Sequence, residues 1–139
     1  MPSRHILVVD PDQASRLIAK QALSNYFHVV TLSSSVEAIA YCKVNAPDIV
    51  LINATLCVSL DCIDLLMALR KYAPSFRAFV TTSFITDDRI ALVKHAGFEG
   101  VLKKPLNLEN PIFLLSHVVN GNEGMKRVHW QVERRKVQG

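Results

Sequence analysis

The sequence of 139 residues lacks several features that mark large classes of protein. Its three cysteines, at positions 42, 57 and 62, form no CxxC pair, so the sequence supports neither a disulfide framework nor a zinc site. Apolar runs end after four or five residues, whereas a membrane span needs about 18. The apolar run after His5 is also shorter than the core of a secretory signal peptide. We therefore expect a cytoplasmic protein without a membrane segment.

The net charge is small in the body of the chain, and most of the positive excess lies at its end. Residues 1–119 carry 11 basic and 10 acidic side chains, whereas residues 120–139 carry 5 basic and 2 acidic ones. The basic residues of this last segment are Lys126, Arg127, Arg134, Arg135 and Lys136. The segment NGNEG at 120–124 is typical of a linker. We predict a folded domain over residues 1–120 and a basic tail or linker, which could be helical, over 121–139.

Three hypotheses remain for the tail. It is the start of a linker to an output domain outside this chain, or a helix that docks on a partner or a second copy, or a contact for nucleic acid. The third hypothesis rests on the five cations and Trp130, which suit phosphate and stacking contacts. No helix-turn-helix pattern accompanies them, so nucleic acid is the least favoured partner.

Five short apolar runs predict β-strands, at 6–9, 29–31, 49–52, 78–81 and 100–102. Each run is continuous rather than alternating, which is typical of strands buried on both faces of a parallel sheet. Helical spacing predicts helices over 13–25, 34–44, 61–72, 87–96 and 108–119. This alternation predicts an α/β fold of five βα units, with a doubly wound, parallel, five-stranded sheet and functional residues at the carboxyl ends of its strands.

Apolar stripes predict which side of each helix faces the sheet. The predicted stripes are Ala14, Leu17, Ile18 and Ala22 in the first helix, Val36, Ile39, Ala40 and Lys43 in the second, and Leu65, Leu66, Leu69 and Tyr72 in the third. For the fourth helix, Thr86 is predicted as the N-cap and Gly97 as the C-terminal stop signal.

The ends of the predicted strands carry polar residues but no glycine-rich phosphate loop. The first strand runs into DPD at 10–12, and the later strands end at Asn53, at TS in 82–83 and at KKP in 103–105. Together with ILVVD at 6–10, PDIVLIN at 47–53, VTTS at 80–83 and HAGFEG at 95–100, these motifs occur in a fixed order. Over residues 4–119 the sequence resembles the receiver domain of two-component response regulators.

The resemblance implies a flavodoxin-like fold and a phosphoryl-transfer site. In that family, two acidic residues after the first strand and an Asp after the third hold Mg²⁺, which prefers hard oxygen ligands. The third-strand Asp accepts a phosphoryl group from a kinase histidine. A Thr or Ser after the fourth strand contacts the phosphoryl oxygens, and a Lys followed by a cis Pro after the fifth strand pairs with the charge. The matching residues here are Asp10, Thr82, Lys104 and Pro105.

Several decisive positions depart from the family pattern. The phosphoacceptor position holds Asn53, and the second acidic position holds Pro11, while Asp12 lies one residue too late. The loop at 56–60 differs from the family, and the aromatic switch position on the fifth strand holds Val101. We interpret the chain as a pseudo-receiver that is not an enzyme and does not rely on Mg²⁺, for which Asp10 is the only remaining candidate ligand.

Each retained residue also has a simple structural explanation. Lys104 is predicted to pair with Asp10 in the former metal site, or to bond to Asn53 or to loop carbonyls. Thr82 is predicted either to keep its place in the phosphoryl clamp or only to satisfy backbone groups at the strand end. Asp61 and Asp64 are predicted to face solvent or to begin the third helix.

Three functions are therefore carried forward. The leading hypothesis is a signalling module of a two-component or phosphorelay pathway that acts by protein–protein interaction and not by phosphorylation. The second is a receiver still phosphorylated at a displaced acidic residue, Asp12 or Asp61. The third is a scaffold that binds nucleic acid through the basic tail.

The resemblance also implies where partners bind. The expected partner is a sensor kinase, an output domain or a second copy of the chain in a homodimer. The family uses the face formed by the fourth helix, fifth strand and fifth helix. Here that face would present Arg89, Lys94, Phe98, Lys103 and the helix from Leu108, with Phe98 either exposed there or part of the core.

Overall fold

Five parallel strands form a single sheet in the order β2-β1-β3-β4-β5. The computed structural model describes residues 4–56, 61–107, 109–111 and 113–114, without the side chains of 61 and 62. The strands are β1 (His5–Val9), β2 (His28–Leu32), β3 (Ile49–Asn53), β4 (Arg77–Thr82) and β5 (Gly100–Lys103). This confirms the predicted parallel α/β architecture. The chain order of the strands reverses at β1, so the carboxyl ends of β1 and β3 flank the crevice where such folds bind ligands.

Four helices connect the strands: α1 (Gln13–Leu23), α2 (Ser35–Cys42), α3 (Asp61–Tyr72) and α4 (Asp87–His95). The side chains of Asp12, Ser34 and Thr86 cap α1, α2 and α4 by accepting hydrogen bonds from backbone N–H groups of the first turn. Gly97 follows α4 with φ 109°, a conformation that favours glycine. The predicted cap and stop signal of α4 are therefore confirmed, and so is the start of α3 at Asp61.

Buried strands divide the core into two layers because successive side chains point to opposite faces of the sheet. Ile6 and Val8 of β1 pack with Leu23 of α1 on one face. Leu7 and Val9 pack on the other face with a larger cluster from α2, α3 and α4 that includes Leu69. The continuous apolar runs thus reflect helices on both faces, as predicted.

The predicted inner faces of α1 and α2 are wrong in part. Leu17 and Ile18 are 58% and 40% exposed, and Val36 of α2 is 77% exposed. The residues that bury against the sheet are Ala19, Ala22 and Leu23 in α1 and Ala38 and Cys42 in α2. Small side chains let the helix axis approach the strands closely, so the contact stripe is narrow and the larger apolar residues lie beside it.

The inner face of α3 follows the prediction except at its end. Leu65, Leu66 and Leu69 are at most 5% exposed, whereas Tyr72 is 42% exposed. The ammonium groups of Lys43 and Lys71 lie over the Tyr72 ring at 5.5 and 5.7 Å from its centroid. The Tyr72 side chain therefore carries a surface cation–π contact.

Most of the predicted fifth helix and all of the basic tail lie outside the described residues. Helical backbone is present at Asn110, Pro111, Phe113 and Leu114, and Leu114 is fully buried against the α1 side of the sheet. The predicted tail over 121–139 therefore stays a prediction. Within the described ranges, no helix is long and apolar enough to cross a membrane.

A histidine cluster lies at the amino end of the sheet, opposite the carboxyl ends that carry the motifs. The His5 Nε2 atom lies 2.6 Å from the Tyr41 hydroxyl, and the His5 and His28 rings are 5.1 Å apart at their centroids. The backbone N–H of His5 donates to the Asp48 carboxylate at 2.7 Å. Burial is the main cause that lowers the pKa of His5, the neighbouring His28 lowers it further, and Asp48 opposes the change.

This lowered pKa predicts a loss of stability in mild acid. As pH falls below about 6.5, His5 binds a proton in the unfolded chain before it does so in the folded protein. The free energy of unfolding should therefore fall between about pH 7.5 and 5.5, and it should fall less steeply in His5→Gln. Urea denaturation across this pH range measures the slopes. Equal slopes in the two proteins would show that His5 does not contribute.

Candidate functional site

Asp10 lies directly after β1 and is only 3% exposed. Its Oδ2 atom accepts a hydrogen bond from Lys104 Nζ at 2.9 Å, and its Oδ1 atom accepts one from the backbone N–H of Asp12 at 2.9 Å. The Arg16 guanidinium donates to the backbone carbonyl of Asp10 at 2.7 Å. Both carboxylate oxygens are thus engaged, and the ion pair predicted with Lys104 is present.

Lys104 joins the ends of three strands. Its Nζ atom donates to Asp10 Oδ2 at 2.9 Å and to Asn53 Oδ1 at 3.1 Å, and its backbone N–H donates to the Thr82 carbonyl at 2.7 Å. The peptide bond from Lys104 to Pro105 is cis, as the resemblance implied. The lysine that was predicted to contact either Asp10 or Asn53 contacts both.

Asn53 ends β3 and is 5% exposed. Its amide oxygen accepts from Lys104, and its Nδ2 atom donates to the hydroxyl of Thr55. A neutral amide at the end of β3 therefore binds the same lysine that pairs with Asp10.

Thr82 ends β4 and is 6% exposed. Its hydroxyl donates to the Phe84 carbonyl and accepts from the Phe84 backbone N–H, both at 3.2 Å. Thr82 thus satisfies backbone groups at the strand end, which is one of its two predicted roles. Phe84 itself is 76% exposed.

A cavity of about 680 Å³ opens above these strand ends. Asp10, Asn53, Thr82 and Lys104 all line it, so the structure brings together the residues that the motifs singled out. Among the side chains that the structure describes, no three His, Cys, Asp or Glu residues are grouped closely enough to hold a metal ion.

Comparison with known families shows which family the chain belongs to. A model of the response regulator receiver domain matches residues 6–114, most of the chain. The chain belongs to the response regulator receiver domain family. A search of curated proteins gave no match.

Solved structures share the fold of this receiver domain at low sequence identity. A response regulator from Burkholderia pseudomallei, solved with a phosphorylated aspartic acid, a calcium ion and citrate, is 16% identical, with a TM-score of 0.72 over 96% of this chain and 75% of its own. Chemotaxis protein CheY4 of Vibrio cholerae is 21% identical, with a TM-score of 0.71 over 84% of this chain and 98% of its own. A Thermotoga maritima response regulator is 20% identical, with a TM-score of 0.72 over 84% and 97%.

Neither of the two residues after Asp10 in the receiver domain takes the place of a second acidic ligand. Pro11 is exposed and has no side-chain oxygen. The Asp12 carboxylate accepts from the backbone N–H and the hydroxyl of Ser15 at 2.9 and 2.8 Å. These hydrogen bonds are the main cause that lowers the pKa of Asp12. Asp12 is therefore the N-cap of α1, although its residue also lines the cavity.

Val101 is 2% exposed and belongs to the core cluster on the α4 side of the sheet. Phe98 is 3% exposed in the same cluster, which settles its two predicted placements in favour of the core. Lys94 and Lys103 are exposed on the predicted partner face, and Arg89 is partly exposed. Leu108, at the start of the predicted fifth helix, lies outside the described residues.

Sequence reasoning did not place four residues in the site that help to shape it, although it named Arg89 on the partner face. Thr55 holds the Asn53 amide, Arg16 binds the Asp10 carbonyl, and Phe84 and Arg89 line the cavity. Arg16 carries a usable signal because it stands on the first turns of α1, directly after the Asp10 motif. The exposure of Phe84 carries none, since it depends on the conformation of the β4–α4 loop.

Proposed function

We propose that this receiver domain is a pseudo-receiver that signals by protein–protein interaction without being phosphorylated. The observation that supports this is the Asn53 amide, fixed by Lys104 and Thr55 at the phosphoacceptor position. An amide nitrogen is a poor nucleophile because its lone pair is delocalised, whereas acyl phosphate formation requires a carboxylate. The module therefore performs no chemical step.

The donor set also does not fit the Mg²⁺ ion of the family. Mg²⁺ prefers octahedral oxygen coordination and takes one or two carboxylates at its sites. Asp10 is the one carboxylate left of three, and both its oxygens already accept hydrogen bonds. Pro11 offers no side-chain oxygen, and the Asp10 carboxylate is already paired with Lys104 Nζ at 2.9 Å. The proposed function accordingly includes no metal-dependent step.

Phosphorylation at a displaced acidic residue has less support. The Asp12 carboxylate is held by Ser15 at the start of α1, and converting it to an acyl phosphate would remove that cap. The other candidate, Asp61, has a side chain outside the described residues. The nucleic-acid hypothesis rests on the tail, which the described residues do not include.

The proposed contact surface is the α4–β5 face. β5 is an edge strand, and edge strands are sites where a second chain adds contacts. Leu92 of α4 is 68% exposed, and Lys94 of the same helix and Lys103 of β5 are exposed as well. Val101 stands at the switch position and has no aromatic ring that could rotate. We therefore propose that this face keeps a single conformation. Its partner is then a sensor kinase, an output domain or a second copy of the chain.

Radiolabelled acetyl phosphate tests this function directly. We expect no acid-labile label with or without Mg²⁺, and no amide shifts at Thr82 or Lys104 on adding beryllofluoride. Asn53→Ala serves as the control, because a label that survives in this variant would identify a displaced acceptor. Mg²⁺-dependent labelling of the unaltered chain would overturn the proposal.

A further inference from the structure

The cavity above the strand ends is larger and more apolar than a phosphoryl site requires. Its volume of about 680 Å³ lies within the range of small-molecule pockets, roughly 300–1,000 Å³. Apolar side chains contribute much of its wall: Pro11, Ile18, Ala54, Phe84 and Leu106. Phe84 and Ile18 are 76% and 40% exposed, so a ligand seated between them would remove apolar surface from water.

The polar groups at the base of the cavity are already paired with one another. Lys104 is shared between Asp10 and Asn53, and Thr82 is bonded to the backbone of Phe84. The charges of Asp10 and Lys104 cancel. A phosphate ion would have to break these contacts to bind, whereas an apolar group can cover them without doing so.

Arg89 is the cation at the cavity wall whose charge is not already used. Its backbone N–H belongs to the cap of α4, and its guanidinium forms no hydrogen bond or ion pair with any residue that the structure describes. It belongs to the first turn of α4, after β4, whereas Pro11 and Asp12 follow β1. β3 lies between these two strands, so the two sides of the cavity are about 10 Å apart.

We propose that this cavity binds a small aromatic monocarboxylate. The carboxylate pairs with the Arg89 guanidinium, whose planar fork suits it. The aromatic body lies over the Asn53–Lys104 network, against Phe84 on one side and Pro11 and Ile18 on the other. A single negative charge fits because the opposite side of the cavity carries the Asp12 carboxylate. This site is independent of the protein-interaction function proposed above.

The probe is naphthaleneacetate, titrated into the full chain and followed by amide spectra. We expect saturable shifts concentrated at Ala54, Phe84 and Arg89. The neutral analogue naphthaleneethanol should bind at the same residues but more weakly, because it lacks the charge. Inorganic phosphate should neither bind there nor compete. Absence of saturable shifts would overturn the proposal, as would competition by phosphate, which would mark a phosphoryl site.

Three variants separate the charge from the apolar contact. Arg89→Gln should lower the affinity for naphthaleneacetate about tenfold, as expected for a lost charge-assisted hydrogen bond. It should leave the affinity for naphthaleneethanol unchanged. Lys94→Gln makes the same change on the exposed side of α4 and should alter neither affinity. Phe84→Ala should lower the affinity for both ligands. Equal effects of the Arg89 and Lys94 changes would contradict the assigned role of Arg89.

Discussion

Replacing Lys104 with methionine should lower the free energy of unfolding by about 3 kcal/mol, one of the largest losses available to a single change in this domain. The substitution keeps most of the side-chain volume but leaves the Asp10 carboxylate, whose side chain is 4% exposed, without its cation. We expect the lower end of the range for broken buried pairs, because 18% of the Lys104 side chain still reaches solvent. Urea denaturation of both proteins at neutral pH measures the difference.

The chain supplies a matched control at the preceding residue. Lys103 is exposed, so Lys103→Met should change the free energy of unfolding by less than about 0.5 kcal/mol. Combining Asp10→Asn with Lys104→Met should recover much of the loss, since neither an unpaired charge nor its desolvation then remains. Similar small effects at both lysines would mean that the Asp10–Lys104 pair does not hold the strand ends together.

Restoring carboxylates at two positions should create the phosphorylation that we expect the unaltered chain to lack. Asn53→Asp places a carboxylate 3.1 Å or so from Lys104 Nζ, at the position of the present amide oxygen. Pro11→Asp supplies the second metal ligand that the unaltered chain lacks. The double variant should take up acid-labile label from acetyl phosphate in a Mg²⁺-dependent manner, whereas the unaltered chain should take up none.

Thermal unfolding gives a second measurement of the same change. Mg²⁺ should raise the Tm of the double variant by several degrees, because an ion that binds only the folded state stabilises it. The unaltered chain and Asn25→Asp, which makes the same exchange at an exposed position, should show no such rise. A rise of equal size in all three proteins would show that Asn53 and Pro11 are not what prevents metal binding.

The sequence predicted the strands well because their burial on both faces leaves a continuous apolar run. It predicted the helix faces less well. Leu17 and Ile18 belong to the apolar stripe of α1, but the residues that contact the sheet include Ala19 and Leu23. Periodicity identifies an apolar sector of a helix but not which part of it touches the sheet. That depends on how closely small residues let the helix approach.

The sequence also predicted some features of the candidate site and not others. Asp10, Asn53, Thr82 and Lys104 could be placed together from sequence because parallel strands end at one edge of the sheet. The sequence could not decide which atoms pair there, because the long Lys104 side chain has more than one acceptor within reach. In the structure it contacts both Asp10 and Asn53. The places of Phe84 and Arg89 on the cavity wall follow from the β4–α4 loop, whose path no local pattern specifies.

The pairing of Asp10 with Lys104 spans 94 residues of chain, from the first strand to the residue after the last. During synthesis, Asp10 emerges long before its cation exists, and β1 must wait for β3 to pair with its second side. The buried carboxylate therefore has no counter-ion until nearly the whole domain has been translated. Nascent chains that end before Lys104 should remain open at this edge, and the synthesis of Lys104 should allow it to close.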